Sequence, residues 1–211
     1  MSLVLMLAAG GGKGWSQGII YVVPQPQPSY SLFYPGTLDL NIDINGDGTT
    51  DFILESGSSD INYAALIPQG SNMVVTMNSF VAAMTNGETI GSSLDPVYQW
   101  SNASSTIGFL VMLLDSDSRG AEDGNFVGKS SGYMGFDLVD NGTNYYGWMY
   151  ISSPGGDDLN GDAGIYGVIE NWAYQNSPNT PIEVGAVPEP STWALLTAGA
   201  VLMLRRRKII P

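Results

Sequence analysis

The 211-residue chain has no cysteine and no histidine. Without cysteine there is no disulfide framework, no thiolate nucleophile and no Cys-ligated metal. Without histidine the commonest general base, the usual zinc ligand and every His-based triad are excluded. Basic residues are scarce too: Lys13, Arg119 and Lys129 precede a terminal cluster of Arg205, Arg206, Arg207 and Lys208. All 20 acidic residues fall between Asp39 and Glu189, where Arg119 and Lys129 are the only cations, so that span carries a formal −18. No basic patch can form there to release counterions from a polyanion, which argues against nucleic acid as a partner. Divalent cations are the natural counter-charge. The chain also lacks a nucleophile elbow, a phosphate-binding loop and a dinucleotide fingerprint. Glu170 paired with Asp115 or Asp117 is the remaining route to an enzyme, a glycoside hydrolase or lyase. Acidic residues are too plentiful for such a pair to mean much, and a protein without catalytic activity is the expectation.

What the chain has instead is short apolar runs separated by turn formers. Residues 37–44 alternate strictly, with Leu38, Leu40, Ile42 and Ile44 on one face and Asp39, Asn41 and Asp43 on the other. Similar runs at 19–23, 51–55, 61–66, 72–77, 107–114, 125–127, 133–139, 145–152 and 164–174 read as strands, and 30–34 as a further extended stretch. Pro24, Pro26 and Pro28 form a spacer that cannot join a central strand. Residues 78–85 (NSFVAAMT) are the one predicted helix inside the domain. The pattern predicts an all-β fold, an antiparallel β-sandwich or jelly roll, over residues 19–183.

The two ends read differently. Residues 1–9 are apolar and Ser16-Gln17-Gly18 offers a small-residue cleavage region, so 1–18 reads as a signal peptide, truncated or late-starting. Residues 184–190 form a linker ending in Val187-Pro188-Glu189-Pro190. Residues 191–208 follow as an apolar run, with Trp193 at its outer end, closed by the basic cluster. An interfacial Trp and a cytoplasmic cation cluster suit a C-terminal transmembrane helix. The uncharged stretch from Thr192 to Leu204 spans only about 20 Å as a helix, against about 30 Å of hydrocarbon. Such a run suits a removable signal better than a lasting anchor. This three-part order resembles the PEP-CTERM sorting signal of Gram-negative bacteria. The resemblance implies export, transient attachment to the inner membrane through the C-terminal helix, processing by exosortase, and delivery to the cell surface or extracellular matrix. The run YYGWMYI, then ENWAY, then TPIEVGAVPEP is similar to the last strands of a common PEP-CTERM ectodomain type, a resemblance that carries no particular activity over to this chain.

Within the domain the sharpest motif is Asp43-Ile-Asn45-Gly-Asp47-Gly-Thr49-Thr-Asp51. Oxygen-bearing side chains at positions 1, 3, 5 and 9 with Gly at 6 suit calcium, which takes six to eight oxygens. It resembles the DxNxDGxxD loops of integrin-type propeller repeats. That resemblance implies Asp43, Asn45, Asp47, Asp51 and the Thr49 carbonyl as ligands of a structural Ca²⁺. The same residues favour an ion-free hairpin turn. The loops carrying Asp158, Asn160 and Asp162, and Asp115, Asp117, Glu122 and Asp123, read as solvated. Alternation puts Tyr146, Trp148 and Tyr150 on one strand face, and Trp172 follows nearby. Core packing is the expected role of these rings. Sugar stacking on Trp148 and Trp172 is the alternative, and would make the domain a lectin-like module on extracellular polysaccharide. The leading expectation is a structural or adhesive surface protein.

Overall fold

A computed structural model describes residues 3–4, 18–31, 36–58, 62–102, 109–113, 122–126, 128–152 and 166–188. All regular structure in them is extended. The strands run β1 (Leu3–Val4), β2 (Ile19–Val23), β3 (Ser29–Ser31), β4 (Gly36–Ile42), β5 (Phe52–Ser58), β6 (Asn62–Pro68), β7 (Met73–Met77) and β8 (Phe80–Val81). They continue with β9 (Thr89–Ile90), β10 (Gln99–Ser101), β11 (Phe109–Leu113), β12 (Glu122–Asp123), β13 (Ser131–Asp140), β14 (Thr143–Ser152), β15 (Tyr166–Gln175) and β16 (Ile182–Glu183). The larger sheet has the order β1-β2-β15-β14-β13-β7-β10, with β3 on β15 and β8 on β7; the smaller is β12-β11-β6-β5-β4. Every pairing is antiparallel.

Period-two alternation explains how the layers stack. Ile42, Phe52, Leu54, Ala64 and Leu66 of the small sheet share one core with Val22, Val74, Met134, Phe136, Leu138, Met149 and Trp172 of the large one. Phe52 meets Phe136 edge-on, ring centres 5.6 Å apart. The alternate residues of the large sheet point the other way into a second core. Tyr146, Trp148, Val75 and Ala173 lie there with Ile90 and Ile182 of the separate β16–β9 pair and with Val184, which follows β16. The large sheet is thus buried on both faces. Gly147 belongs to the inner side: it lies opposite Phe136, whose ring fills the space a Cβ would take.

The predicted helix over 78–85 is corrected. Asn78 and Ser79 have φ of 54° and 71°, the two positive angles of a type I′ turn, and Met77 pairs directly with Phe80. The chain stays extended to Met84, whose amide donates to the Tyr133 carbonyl at 2.9 Å. Burying Val81 and Ala82 against the large sheet outweighs the local helix preference of Ala82 and Ala83. Most other strand boundaries follow the alternation within a few residues, but the strand expected over 125–127 is corrected: Asn125 and Phe126 lie in a turn that the Lys129 amide closes on the Phe126 carbonyl at 3.1 Å, and β1, β8, β9, β10, β12 and β16 form outside the expected strands. The Asn141-Gly142 turn joins β13 to β14 with φ of 49° and 76°, as its sequence demands. No helix among the described residues is long and apolar enough to cross a membrane. The apolar run and basic cluster of 191–208 and most of the 1–18 segment lie outside the described residues. Leu3–Val4 pairs with β2 at the edge of the large sheet.

Candidate functional site

The acidic loop between β4 and β5 is built from its own amides. Asp43 Oδ1 accepts from the Gly46 amide at 2.8 Å and from the Asp47 amide at 3.2 Å, and Oδ2 accepts from Gly48 at 2.8 Å. Asn45 Oδ1 accepts from the Asp47 amide at 3.0 Å, and Asp47 Oδ1 from the Thr49 amide at 2.7 Å. Asx side chains can hydrogen-bond the backbone two residues on in this way. Positive φ at Gly46 (79°) and Gly48 (90°) lets the chain curl around the Asp43 carboxylate. The Thr49 amide, then the Asn45 side chain, hold the Asp47 carboxyl below the usual carboxylate range.

Asp51 behaves differently. It is 6 % exposed and turns inward, where Oδ2 accepts from the Ile44 amide at 2.8 Å and Oδ1 from Asn72 Nδ2 at 3.3 Å. Asn72 Nδ2 also donates to the Asp51 carbonyl at 3.0 Å, and Asn72 Oδ1 accepts from the Val139 amide at 2.7 Å. Asn72 therefore ties the loop to β13 in the opposite sheet. Trp172 Nε1 adds a second tie, donating to the Ile44 carbonyl at 3.1 Å. Burial pushes the Asp51 carboxyl up, the Ile44 amide and Asn72 oppose that, and the charges of Asp43 and Asp47 add to the rise.

The structure places the five expected calcium-loop residues in two groups. Asp43, Asn45, Asp47 and Thr49 line an outer turn, whereas the Asp51 side chain serves as an interior clasp. Among the described residues no three acidic side chains stand together as a metal-binding group. The outer three side chains suit a hard cation chemically through Asp43 Oδ2, Asn45 Oδ1 and Asp47 Oδ1, each of which accepts one amide and keeps a further lone pair, whereas Asp43 Oδ1 is filled by two amides. The interior clasp needed Asn72, which sequence reasoning missed. A lone Asn ahead of an apolar strand gives no signal of its partner. Asp137 was missed for the same reason: it is buried on the outer face of the large sheet, Oδ2 accepting from Asn144 Nδ2 at 2.5 Å, and burial pushes its carboxyl up. Glu122 and Asp123 fall on β12; Asp115, Asp117, Asp158, Asn160 and Asp162 lie outside the described residues.

The sugar-stacking alternative is corrected. Trp148 and Trp172 are 2 % and 4 % exposed. They point to opposite faces of the large sheet, since Trp148 pairs with Ala173 and Met149 with Trp172. Tyr133 packs edge-on to Trp148 at 5.3 Å, and Trp100 stacks on Tyr146 at 5.9 Å. The aromatic row alternates as predicted, but the outer layer covers it.

At the C-terminal end, β16 closes onto β9, and Val184 donates from its amide to the Glu88 carbonyl at 2.7 Å. Val184 is 1 % exposed and Val187 48 %, so the chain leaves the domain abruptly. Residues 186–208 match the family described as the PEP-CTERM protein-sorting motif. The chain carries a PEP-CTERM sorting motif. Exosortase recognises such motifs for processing, and they mark proteins that leave the cell by a membrane-attached intermediate. Val187 and Pro188 are at the surface; Glu189, Pro190, Arg205, Arg206 and Arg207 lie outside the described residues. No curated protein and no solved structure matches the chain.

Proposed function

We propose that residues 19–183 form the outward-facing domain of an exported protein, held at the membrane by 191–208 until exosortase processes it. The domain then acts as a non-catalytic structural or adhesive element of the cell surface or extracellular matrix. The carrying observation is the sorting motif, which begins two residues after the last core residue, Val184. The buried Asp51 agrees with a passive role, because both of its carboxylate oxygens are engaged, by the Ile44 amide and by Asn72. Expression of the full chain in a bacterium with exosortase tests this. A product shortened near Pro188-Glu189, lost on Glu189→Ala, is the expected result. A wild-type chain that keeps its full mass overturns the reading.

The proposal includes a structural Ca²⁺ on the outer turn, held by Asp43, Asn45, Asp47 and the Thr49 carbonyl, with Asp51 bracing the turn from inside. Lys129 is the only basic side chain among the described residues, and a dissolved cation is the counter-charge this loop's oxygens suit. Bound calcium would offset the repulsion among Asp43, Asp47 and Asp51. Millimolar Ca²⁺ should raise the melting temperature over that in chelator, and Asp47→Ala should abolish the rise. Superimposable curves for the wild type would reject the ion.

A further inference from the structure

The last folded residues and the sorting motif overlap in a way that rigid presentation cannot serve. Ile182 and Val184 are buried in the outer core. Gly87 donates to the Val184 carbonyl at 3.0 Å, and the Ala186 amide closes a turn on the Glu183 carbonyl at 3.0 Å. Gly185 sits in that turn at φ +80°, and a Cβ there would run into Asn86 Oδ1 and crowd Tyr133 Oη. From Val184 to Glu189 is five residues, at most about 18 Å of extended chain.

An enzyme that grips a peptide through its backbone takes it extended, in the manner of an added strand. The residues just ahead of Glu189 are Gly185, Ala186, Val187 and Pro188. Gly185 in the left-handed region is not extended, and the Ala186 amide is already engaged. Resting on the processing reading above, we infer that β16 and its turn form a strap that must peel from β9 before the motif can enter the processing enzyme. Folded, the strap holds Gly185 and Ala186, the approach to the motif, on the domain. Peeled, it releases residues 182–188 as an extended peptide without opening either large sheet, because the β16–β9 pair is a sheet of its own.

The chain has no cysteine, so one engineered disulfide can lock the strap. Thr89 and Glu183 are direct cross-strand partners, both exposed, and such pairs lie within disulfide reach. The experiment follows processing of the full chain in exosortase-bearing cells. It compares Thr89→Cys/Glu183→Cys with each single variant and with the wild type, melting curves confirming that all fold. The locked chain should be processed at least about tenfold more slowly, since cleavage waits on local opening. A flexible insert of about eight Gly and Ser residues after Ala186 should restore the rate in the locked chain. Val184→Ala, which loosens the strap, should speed processing. A locked chain cut at the wild-type rate, or one the insert fails to rescue, overturns the inference while leaving the sorting reading intact. A wild-type chain that is never cut overturns both.

Discussion

Replacing Asn72 by alanine tests the clasp between the two sheets. Asn72 is 5 % exposed, and its amide makes three hydrogen bonds: two donated to Asp51, at 3.0 Å to the carbonyl and 3.3 Å to Oδ1, and one accepted from the Val139 amide at 2.7 Å. The Asp51 carbonyl keeps the Gln69 amide, which donates at 2.8 Å. Among the described residues Asp51 Oδ1 and the Val139 amide have no such second partner. At about 1 kcal/mol per bond, with the stranded carboxylate oxygen making its share larger, the loss comes to about 3 kcal/mol. For a domain of this size each kcal/mol moves the melting temperature by about 2–4 °C, so the fall should be about 6–12 °C. Calorimetry at fixed calcium and pH 7 measures it. Asp51→Ala and the double variant complete a cycle, in which the two effects should fall short of adding because they remove one shared network. An Asn72→Ala melting temperature within about 2 °C of wild type, or strict additivity in the cycle, would refute the clasp.

Two further outcomes follow from the buried groups. Asp137 is pushed up by burial, so its stabilising increment is present below the unfolded pKa of about 4 and is lost as pH rises through the folded value. Asp137→Asn should therefore melt higher relative to wild type at pH 7 than at pH 4, and a pH-independent difference would contradict the assignment. Trp148→Ala should cost about 3–5 kcal/mol in chemical denaturation because it empties the outer core. Trp172→Phe should cost about 2–3 kcal/mol, for its bond to the Ile44 carbonyl and the space the smaller ring leaves in the inner core. Neither wild type nor variant should bind a glycan through these rings.

Much of the fold was legible because alternation is local. The inward set Leu40, Ile42 and Ile44 and the outward set Asp39 and Asn41 follow from the order of residues alone, and the Asn141-Gly142 turn follows from the φ its residues tolerate. The outer layer was not legible. A strand buried on both faces still alternates, so Tyr146, Trp148 and Tyr150 look the same whether the second face meets water, a sugar or β16. What settles the matter is non-local: Ile90, Ile182 and Val184, from distant parts of the chain, cover that face. Two-residue strands such as β9 and β16 carry no period of their own, and 78–85 shows how a helix-prone segment yields to tertiary pairing.

The acidic loop divides along the same line. Its outer part, Asp43, Asn45 and Asp47, could be read because side chain and amide lie within five residues of each other. Its inner part could not, because Asp51 finds Asn72 21 positions away and Asn72 finds Val139 67 positions further on. A spacing motif therefore identifies which oxygens are near one another in sequence, not which way each will face. At Asp51 the interior offered a buried amide and an Asn side chain, and a carboxylate half-committed to the core is secured most cheaply by such donors. The loop is thereby anchored before any ion arrives. Calcium, on this reasoning, adjusts a turn that the clasp already holds, and because the charges of Asp43 and Asp47 act on Asp51 the two contributions to stability should be coupled.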